Sequence, residues 1–252
     1  MSAPGTVYLV GAGPGAPDLL TLRAARLLER ADVVFHDALI HPDTVALAVR
    51  AEKIAVGKRC GRHSTAQRFI NKRLVDAARD HRVVVRLKGG DPSLFGRAQE
   101  EIDALVDAGI PVELVPGVTA ALGAAADLGV SLTRRGVSRN VLFVTPRVGD
   151  GERRHRDWAA AVVAADTAVI YMGVQEAASI AAALLAHGMP ATTPVVAVEN
   201  ATLPTARRVA ATLAGLPRFA HAGFTGPVAL LVGDVFAVAL AAGLAEPSAA
   251  VA

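Results

Sequence analysis

Two glycine-rich stretches and a few charged residues carry the chemistry open to this chain. Gly11-Ala-Gly-Pro-Gly-Ala16 stands between an apolar run and a helical pattern. At such a junction, backbone N–H groups and a helix N-terminus can face a ligand. The stretch nearly satisfies G-x-G-x-x-G/A, the dinucleotide fingerprint, and Asp37 lies where a ribose-binding acid would sit. A nicotinamide oxidoreductase is one reading. Pro14 weakens it by removing a backbone donor and stiffening the loop. A tight turn with no ligand is another reading. Lys88-Gly-Gly-Asp-Pro92 is the second stretch. Its glycines let a ligand approach the backbone, and Asp91 can accept from a ribose or an amino group. It can equally be a helix N-cap followed by proline at the first helical position.

Asp37 and Lys58 follow neighbouring apolar runs. A carboxylate and an amine on one sheet edge can move protons on a bound substrate, or they can form a surface ion pair. Arg97 and Glu100 lie one helical turn apart. The arginine can hold an acidic substrate, or the two can be an exposed pair of small energetic value. Arg134 and Arg135 carry the same two readings. Met172 follows an apolar run and reads as core. The seven histidines are scattered, with no metal-ligand spacing, and neither G-x-S-x-G nor a P-loop occurs. Metal-dependent, serine and nucleotide hydrolysis therefore have no support.

These residues need a scaffold, and the hydrophobic pattern supplies one. Strands are expected at Val7–Val10, Val33–Phe35, Ile54–Val56, Arg82–Leu87 and Val112–Val115, alternating with helical patterns. That rhythm implies crossover units and a mainly parallel sheet. Ligands bind beyond the carboxyl ends of such strands, where the glycine-rich and charged residues fall. The irregular segment from Ser131 to Asn140 connects two halves. The second half restarts at Val141–Val144, with further strands at Ala168–Tyr171, Val195–Val198, Arg207–Ala211 and Val228–Val232. The expected fold class is α/β, with domains 1–134 and 135–252.

Composition bounds the rest. The chain has 252 residues, 52% hydrophobic, with a formal net charge of +3. Its mean hydropathy of +0.40 excludes global disorder. Each long apolar stretch is broken by an aspartate (Asp127, Asp166 or Asp234), so no membrane span is expected. No basic residue precedes the first apolar run, so no signal peptide is expected. The single cysteine, Cys60, excludes an internal disulfide and suits a reducing cytoplasm. The isoelectric point near 9.4 rests on an excess of three charges. Arginines suit a polyanionic small substrate at least as well as nucleic acid.

Read in order, the motifs resemble one family. They are Val10-Gly-Ala-Gly-Pro-Gly15, Asp37, Val56-Gly-Lys58, Val85-Arg-Leu-Lys-Gly-Gly-Asp-Pro92, Phe95-Gly-Arg97, Val115-Pro-Gly-Val-Thr-Ala120 and Leu132-Thr-Arg-Arg135. Phe143-Val-Thr145, Tyr171-Met-Gly173, His187-Gly-Met-Pro190, Val198-Glu-Asn200 and Val232-Gly-Asp-Val235 continue the series. Together they resemble the uroporphyrinogen-III C-methyltransferases of the tetrapyrrole methylase superfamily, from about Val7 to about Val235. The resemblance implies two α/β domains with the active site in the cleft between them. It also implies a cytoplasmic homodimer that uses S-adenosyl-L-methionine (SAM), releases S-adenosyl-L-homocysteine, and needs no metal, nucleic acid or membrane. The implied reaction is methylation of uroporphyrinogen III at C2 and C7, giving precorrin-2 by way of precorrin-1, for sirohaem or cobalamin synthesis.

The resemblance carries SAM contacts to Pro14, Gly89, Gly90, Asp91, Leu94, Thr119, Ala120, Met172 and Ala201. It carries catalytic roles to Asp37, Lys58, Arg97 and Glu100, and substrate binding to Arg97 and Arg135. There are departures. Ala16 stands where Asp is usual, Ser93 where Phe is common, Ala98-Gln99 for Gly-Gly, and Pro146-Arg147 for Gly-His. Ala201 replaces a glycine, which a backbone contact would tolerate. A different precorrin methylase and a diphthine synthase are the near alternatives.

Overall fold

The computed structural model describes residues 3–56, 67–147 and 157–243. The apolar runs of the first half form five parallel strands: β1 (Thr6–Gly11), β2 (Val33–His36), β3 (Glu52–Ala55), β4 (Val83–Lys88) and β5 (Val112–Val115). Their order in the sheet is β3-β2-β4-β1-β5. Helices α1 (Leu22–Arg30) and α2 (Pro42–Ala46) cover one face, where Leu27, Leu28 and Val45 pack on Val10, Val34 and Val85. Helices α3 (Gln67–Asp80) and α4 (Ala98–Asp107) cover the other, where Ile70, Leu74 and Leu105 pack on Val7, Leu9 and Val84. Alternate strand residues thus serve opposite cores, as the two-residue period of a strand requires.

This order fixes where a ligand can bind. The chain leaves β1 toward β2 over one face and leaves β4 toward β5 over the other. The neighbouring strands β4 and β1 therefore flank a topological switch point, and a crevice opens beyond their carboxyl ends. Both glycine-rich stretches emerge there.

The second half builds a five-stranded sheet from β6 (Val141–Val144), β7 (Thr167–Tyr171), β8 (Pro194–Glu199), β9 (Arg207–Thr212) and β10 (Val228–Gly233). Its order is β6-β7-β10-β8-β9, and only β6 and β7 pair in parallel. The parallel arrangement expected from the alternation in the first half holds for the first sheet; the second sheet is mostly antiparallel. Helices α6 (Trp158–Val163) and α7 (Ala177–Ala186), with the 3-10 turns of Leu213–His221, cover one face. Helices α5 (Ala120–Leu128) and α8 (Ala237–Ala241) cover the other.

The chain divides into two compact units, Met1–Ala120 and Ala121–Ala252. The division falls 14 residues before the sequence-based boundary after Arg134. The reason is α5: Ala121, Ala124 and Ala125 are buried against Val169, Val196 and Leu231 of the second sheet. The Ala121 N–H also donates to Tyr171 Oη at 3.1 Å. Among the described residues, no helix is long and apolar enough to cross a membrane.

Candidate functional site

Three loops meet at the carboxyl edge of the first sheet. The Ala12 N–H donates to the Lys88 carbonyl at 2.7 Å. Gly13 and Gly90 exchange both backbone hydrogen bonds, at 3.3 and 2.8 Å. Gly11, Gly90 and Gly117 then pack backbone to backbone. A Cβ on Gly117 would lie 2.3 Å from the Gly90 carbonyl, and one on Gly11 would lie 2.6 Å from Gly117. No other residue fits at either position. Gly90 takes φ +65° and Gly13 φ +76°, a region glycine enters without steric cost.

Asp91 ties this junction together. Its Oδ1 accepts from the Ser93 N–H at 2.8 Å and the Ser93 hydroxyl at 2.5 Å, and its Oδ2 accepts from the Gly117 N–H at 3.0 Å. Partial burial pushes this carboxyl upward, but the Ser93 and Gly117 hydrogen bonds outweigh it and hold it below its ordinary value. Ser93, a departure from the family pattern, is thus a working partner of Asp91. The helix-cap reading of Asp91 is corrected: α4 begins at Ala98, six residues after Pro92. The first loop likewise does not open a helix. A 3-10 turn at Pro17–Leu19 intervenes, and α1 starts at Leu22 under its own cap, Thr21, whose Oγ1 accepts from the Ala24 N–H at 3.2 Å.

The geometry discriminates between ligand classes. The N–H groups of Ala12, Gly13, Gly90 and Gly117 are all spent on protein acceptors, and Pro14 has none. A pyrophosphate needs such donors and the N-terminus of a helix, so these four groups lend the nicotinamide reading no support. What this edge offers instead is a carboxylate, with about four acceptor positions of which three are used. Beside it lies an open stretch of backbone: Gly89 is exposed, and a Cβ there would meet only Ile40, at 3.9 Å. Thr119 and Ala120 lie against Gly90, their nearest atoms 3.7 and 3.8 Å from a Cβ built on it. The half-buried Leu94 follows Asp91 in a turn, its N–H on the Asp91 carbonyl at 3.2 Å. Pro14, Gly89, Gly90, Asp91, Leu94, Thr119 and Ala120 are therefore brought to the three loops of one sheet edge.

Charged groups stand beside them. Asp37, at the end of β2, accepts from Arg86 Nη2 at 2.6 Å. Arg97 and Glu100 form a two-point fork, Nε to Oε1 and Nη2 to Oε2, each 2.7 Å, with both side chains about half exposed. The Arg97 hydrogen bond holds the Glu100 carboxyl below its ordinary value. Lys58 lies outside the described residues.

The remaining expected residues belong to the second unit. Met172 directly follows β7, and Ala201 follows β8 by two residues. Both strand ends flank the start of β10, because Tyr171 pairs with Ala229 and Glu199 with Val228. Met172 is about half exposed. Ala201 is buried in the core formed with α5. The segment around it is held from two directions. Glu199 accepts from the Thr225 and Gly226 N–H groups at 2.5 and 2.7 Å, and Asp127 accepts from the Thr202 N–H at 2.7 Å. Arg135 is exposed in the turn closed by Arg134 and Ser138.

Backbone strain marks the same places. The non-glycine residues at positive φ, among those described, are Phe95, Arg97, Met172, Asn200 and Thr202. Two are expected site residues and the other three adjoin Leu94 and Ala201. Such conformations cost free energy and persist where the surroundings impose them, commonly at functional sites. Sequence reasoning gave no role to Arg86, Lys88 or Glu101, all buried. A signal existed. Arg86 and Lys88 alternate within a β-branched strand, and Glu101 falls between the buried Ala98 and Leu105 on the inner stripe of α4.

The fold is α/β, and its paired glycine loops bring a carboxylate with spare acceptor capacity to one sheet edge. The chain belongs to the tetrapyrrole methylase family: residues 6–217 match the family described as Tetrapyrrole (Corrin/Porphyrin) Methylases. It is 48% identical over 237 residues to a siroheme synthase of Chromobacterium violaceum, and 48% identical over 233 residues to one of Azotobacter vinelandii. These matches take in 93% and 92% of the chain but 50% of each relative, so the chain spans about half their length. A uroporphyrin-III C-methyl transferase of Thermus thermophilus, solved with S-adenyl homocysteine, matches with a TM-score of 0.81. The two are 40% identical, covering 93% of this chain and all of that one. A cobalt precorrin-4 methyltransferase matches with a TM-score of 0.80 at 28% identity, covering 91% of this chain and 95% of that one.

Proposed function

We propose that the chain transfers methyl groups from SAM to uroporphyrinogen III, at C2 and C7 in turn, giving precorrin-2 by way of precorrin-1 for sirohaem or cobalamin synthesis. The observation that carries the cofactor reading is the edge of the first sheet, where the Ala12, Gly13, Gly90 and Gly117 N–H groups are spent within the protein and Asp91 keeps one of about four acceptor positions. SAM carries no phosphate and presents hydroxyl and amino donors, so it suits that edge. Pro14, Gly89, Gly90, Asp91, Leu94, Thr119, Ala120, Met172 and Ala201 are the residues proposed to hold it. When bound, SAM supplies an electrophilic methyl group on sulfur and leaves as S-adenosyl-L-homocysteine.

The chain's own residues do the rest. An electron-rich pyrrole carbon attacks in line, so the main task of the protein is alignment, worth several kcal/mol. Neither a covalent enzyme intermediate nor a metal is required. Asp37 takes the proton that the methylated macrocycle must lose to return to neutrality. Arg97 and Arg135 engage substrate carboxylates, with Glu100 holding the Arg97 fork in plane. Lys58 is retained as a second proton-handling candidate. The reading brings with it a homodimer in the cytoplasm. The near alternative, methylation of a later precorrin, is disfavoured by the lower identity to the precorrin-4 enzyme. Incubation with SAM and uroporphyrinogen III, followed by mass analysis, separates the two.

A further inference from the structure

A buried charge cluster underlies the proton-handling groups, and neither the proposed SAM contacts nor the proposed substrate contacts include it. Arg86 and Lys88 point to the same face of β4 because they are two residues apart. Glu101 meets them from α4. The side chains of Arg86, Lys88 and Glu101 are 3%, 4% and 0% exposed. Glu101 accepts from Arg86 Nε at 3.1 Å, from Lys88 Nζ at 3.1 and 3.0 Å, and from Gln67 Nε2 at 3.1 Å. The far side of the Arg86 guanidinium reaches Asp37 Oδ1 at 2.6 Å and the Leu87 carbonyl at 3.1 Å. Two basic side chains thus converge on one fully buried carboxylate, and Arg86 reaches on to Asp37.

Stability alone does not account for this arrangement. Buried ion pairs are costly to desolvate, and apolar residues of similar volume often serve a fold as well or better. What the cluster does instead is fix two pieces of the site. Arg86 holds the Asp37 carboxylate. Lys88 runs under the turn that presents Arg97: its Cε lies 3.1 Å from where a Cβ on Gly96 would stand. Phe95 and Arg97, on either side of Gly96, are the left-handed residues of that turn, at φ +54° and +55°.

We propose that Arg86 is a positioning residue for the reaction: shared between Glu101 and Asp37, it holds the Asp37 carboxylate in its place at the sheet edge. The inference rests on the reading of Asp37 as the base. The test is a double-mutant cycle on the full chain, combining Arg86→Gln or Arg86→Lys with Asp37→Asn. Uroporphyrinogen III turnover, KM and SAM affinity are measured for each variant. Arg86→Gln lowers kcat by roughly 10- to 100-fold, while SAM affinity and KM stay within about threefold of the wild type. Arg86→Lys, which keeps the charge and loses the planar fork, recovers part of kcat. Either double variant is no slower than Asp37→Asn alone, since nothing remains to be positioned. If Arg86→Gln does not fold, the Lys cycle carries the same test. Losses that multiply in the double variant overturn the proposal, as does full kcat in both Arg86 variants. Wild-type turnover in Asp37→Asn removes the base assignment and the proposal together. Failure of the wild-type chain to methylate uroporphyrinogen III falls instead on the proposed function.

Discussion

Asp91 joins two loops and keeps part of its acceptor capacity, which the proposed function assigns to SAM. Asp91→Ala removes three hydrogen bonds to a carboxylate, so SAM affinity falls by roughly 10- to 100-fold, read by calorimetric titration. The carboxyl is held below its ordinary value of 3.8, so its contribution is present above that pH and is lost as pH falls through the lower, folded value. Wild-type melting temperature therefore loses this contribution only below about pH 4, and Asp91→Asn lacks that part of the acid slope. Arg97→Ala loses uroporphyrinogen III turnover while SAM affinity persists. Unchanged turnover in that variant removes Arg97 from the site. Asp91 and Arg97 were legible in the sequence by motif, whereas the roles of Ser93, Arg86 and Glu101 were not. Spacing marks Arg86 and Glu101 only as inward-facing; their roles depend on partners 15 and 49 positions away in the chain.

At the scale of elements, three glycines hold the loops after β1, β4 and β5 in register. Gly117→Ala places a methyl group against the Gly90 carbonyl. It costs roughly 1–3 kcal/mol as an overpacking change and weakens SAM binding as the loops part. Gly109→Ala is the control. Gly109 sits at φ +69° after α4 with open space where a Cβ would stand, so alanine costs only the conformational strain of about 1–2 kcal/mol and leaves SAM affinity intact. Equal losses of SAM affinity in the two variants would refute the loop argument. Most strands of both sheets could be read from sequence because they are short apolar runs bounded by turn residues; β3 opens with the charged Glu52-Lys53 and so begins two residues before the run that marks it. Strand direction in the second sheet could not. Strands buried on both faces give continuous apolar runs whichever way they pair, as Val195–Val198 and Leu230–Val232 do. The 3-10 turns of Leu213–His221, interrupted by Pro217, carry no regular period to detect.

For the whole molecule, the division after Ala120 shows why a boundary is hard to read from composition. Helix α5 begins at the loop that reaches Gly90, yet it buries Ala121, Ala124 and Ala125 under the second sheet. Small alanines carry little directional signal about which core they join. Under the proposed function, the net charge of +3 matters less than whether Arg97 and Arg135 each engage substrate carboxylates. Binding of SAM to the folded chain alone raises the melting temperature with ligand concentration, by about 2.7 kcal/mol of stability at 100 times Kd. NAD at the same concentration is expected to leave it unchanged, since the Ala12, Gly13, Gly90 and Gly117 N–H groups are already spent. The most direct measurement is anaerobic incubation of the chain with SAM and uroporphyrinogen III, with the product read by mass and absorbance. The account predicts two added methyl groups and two molecules of S-adenosyl-L-homocysteine per macrocycle. Unmodified uroporphyrinogen III, together with methylation of a later precorrin by the same preparation, would contradict it.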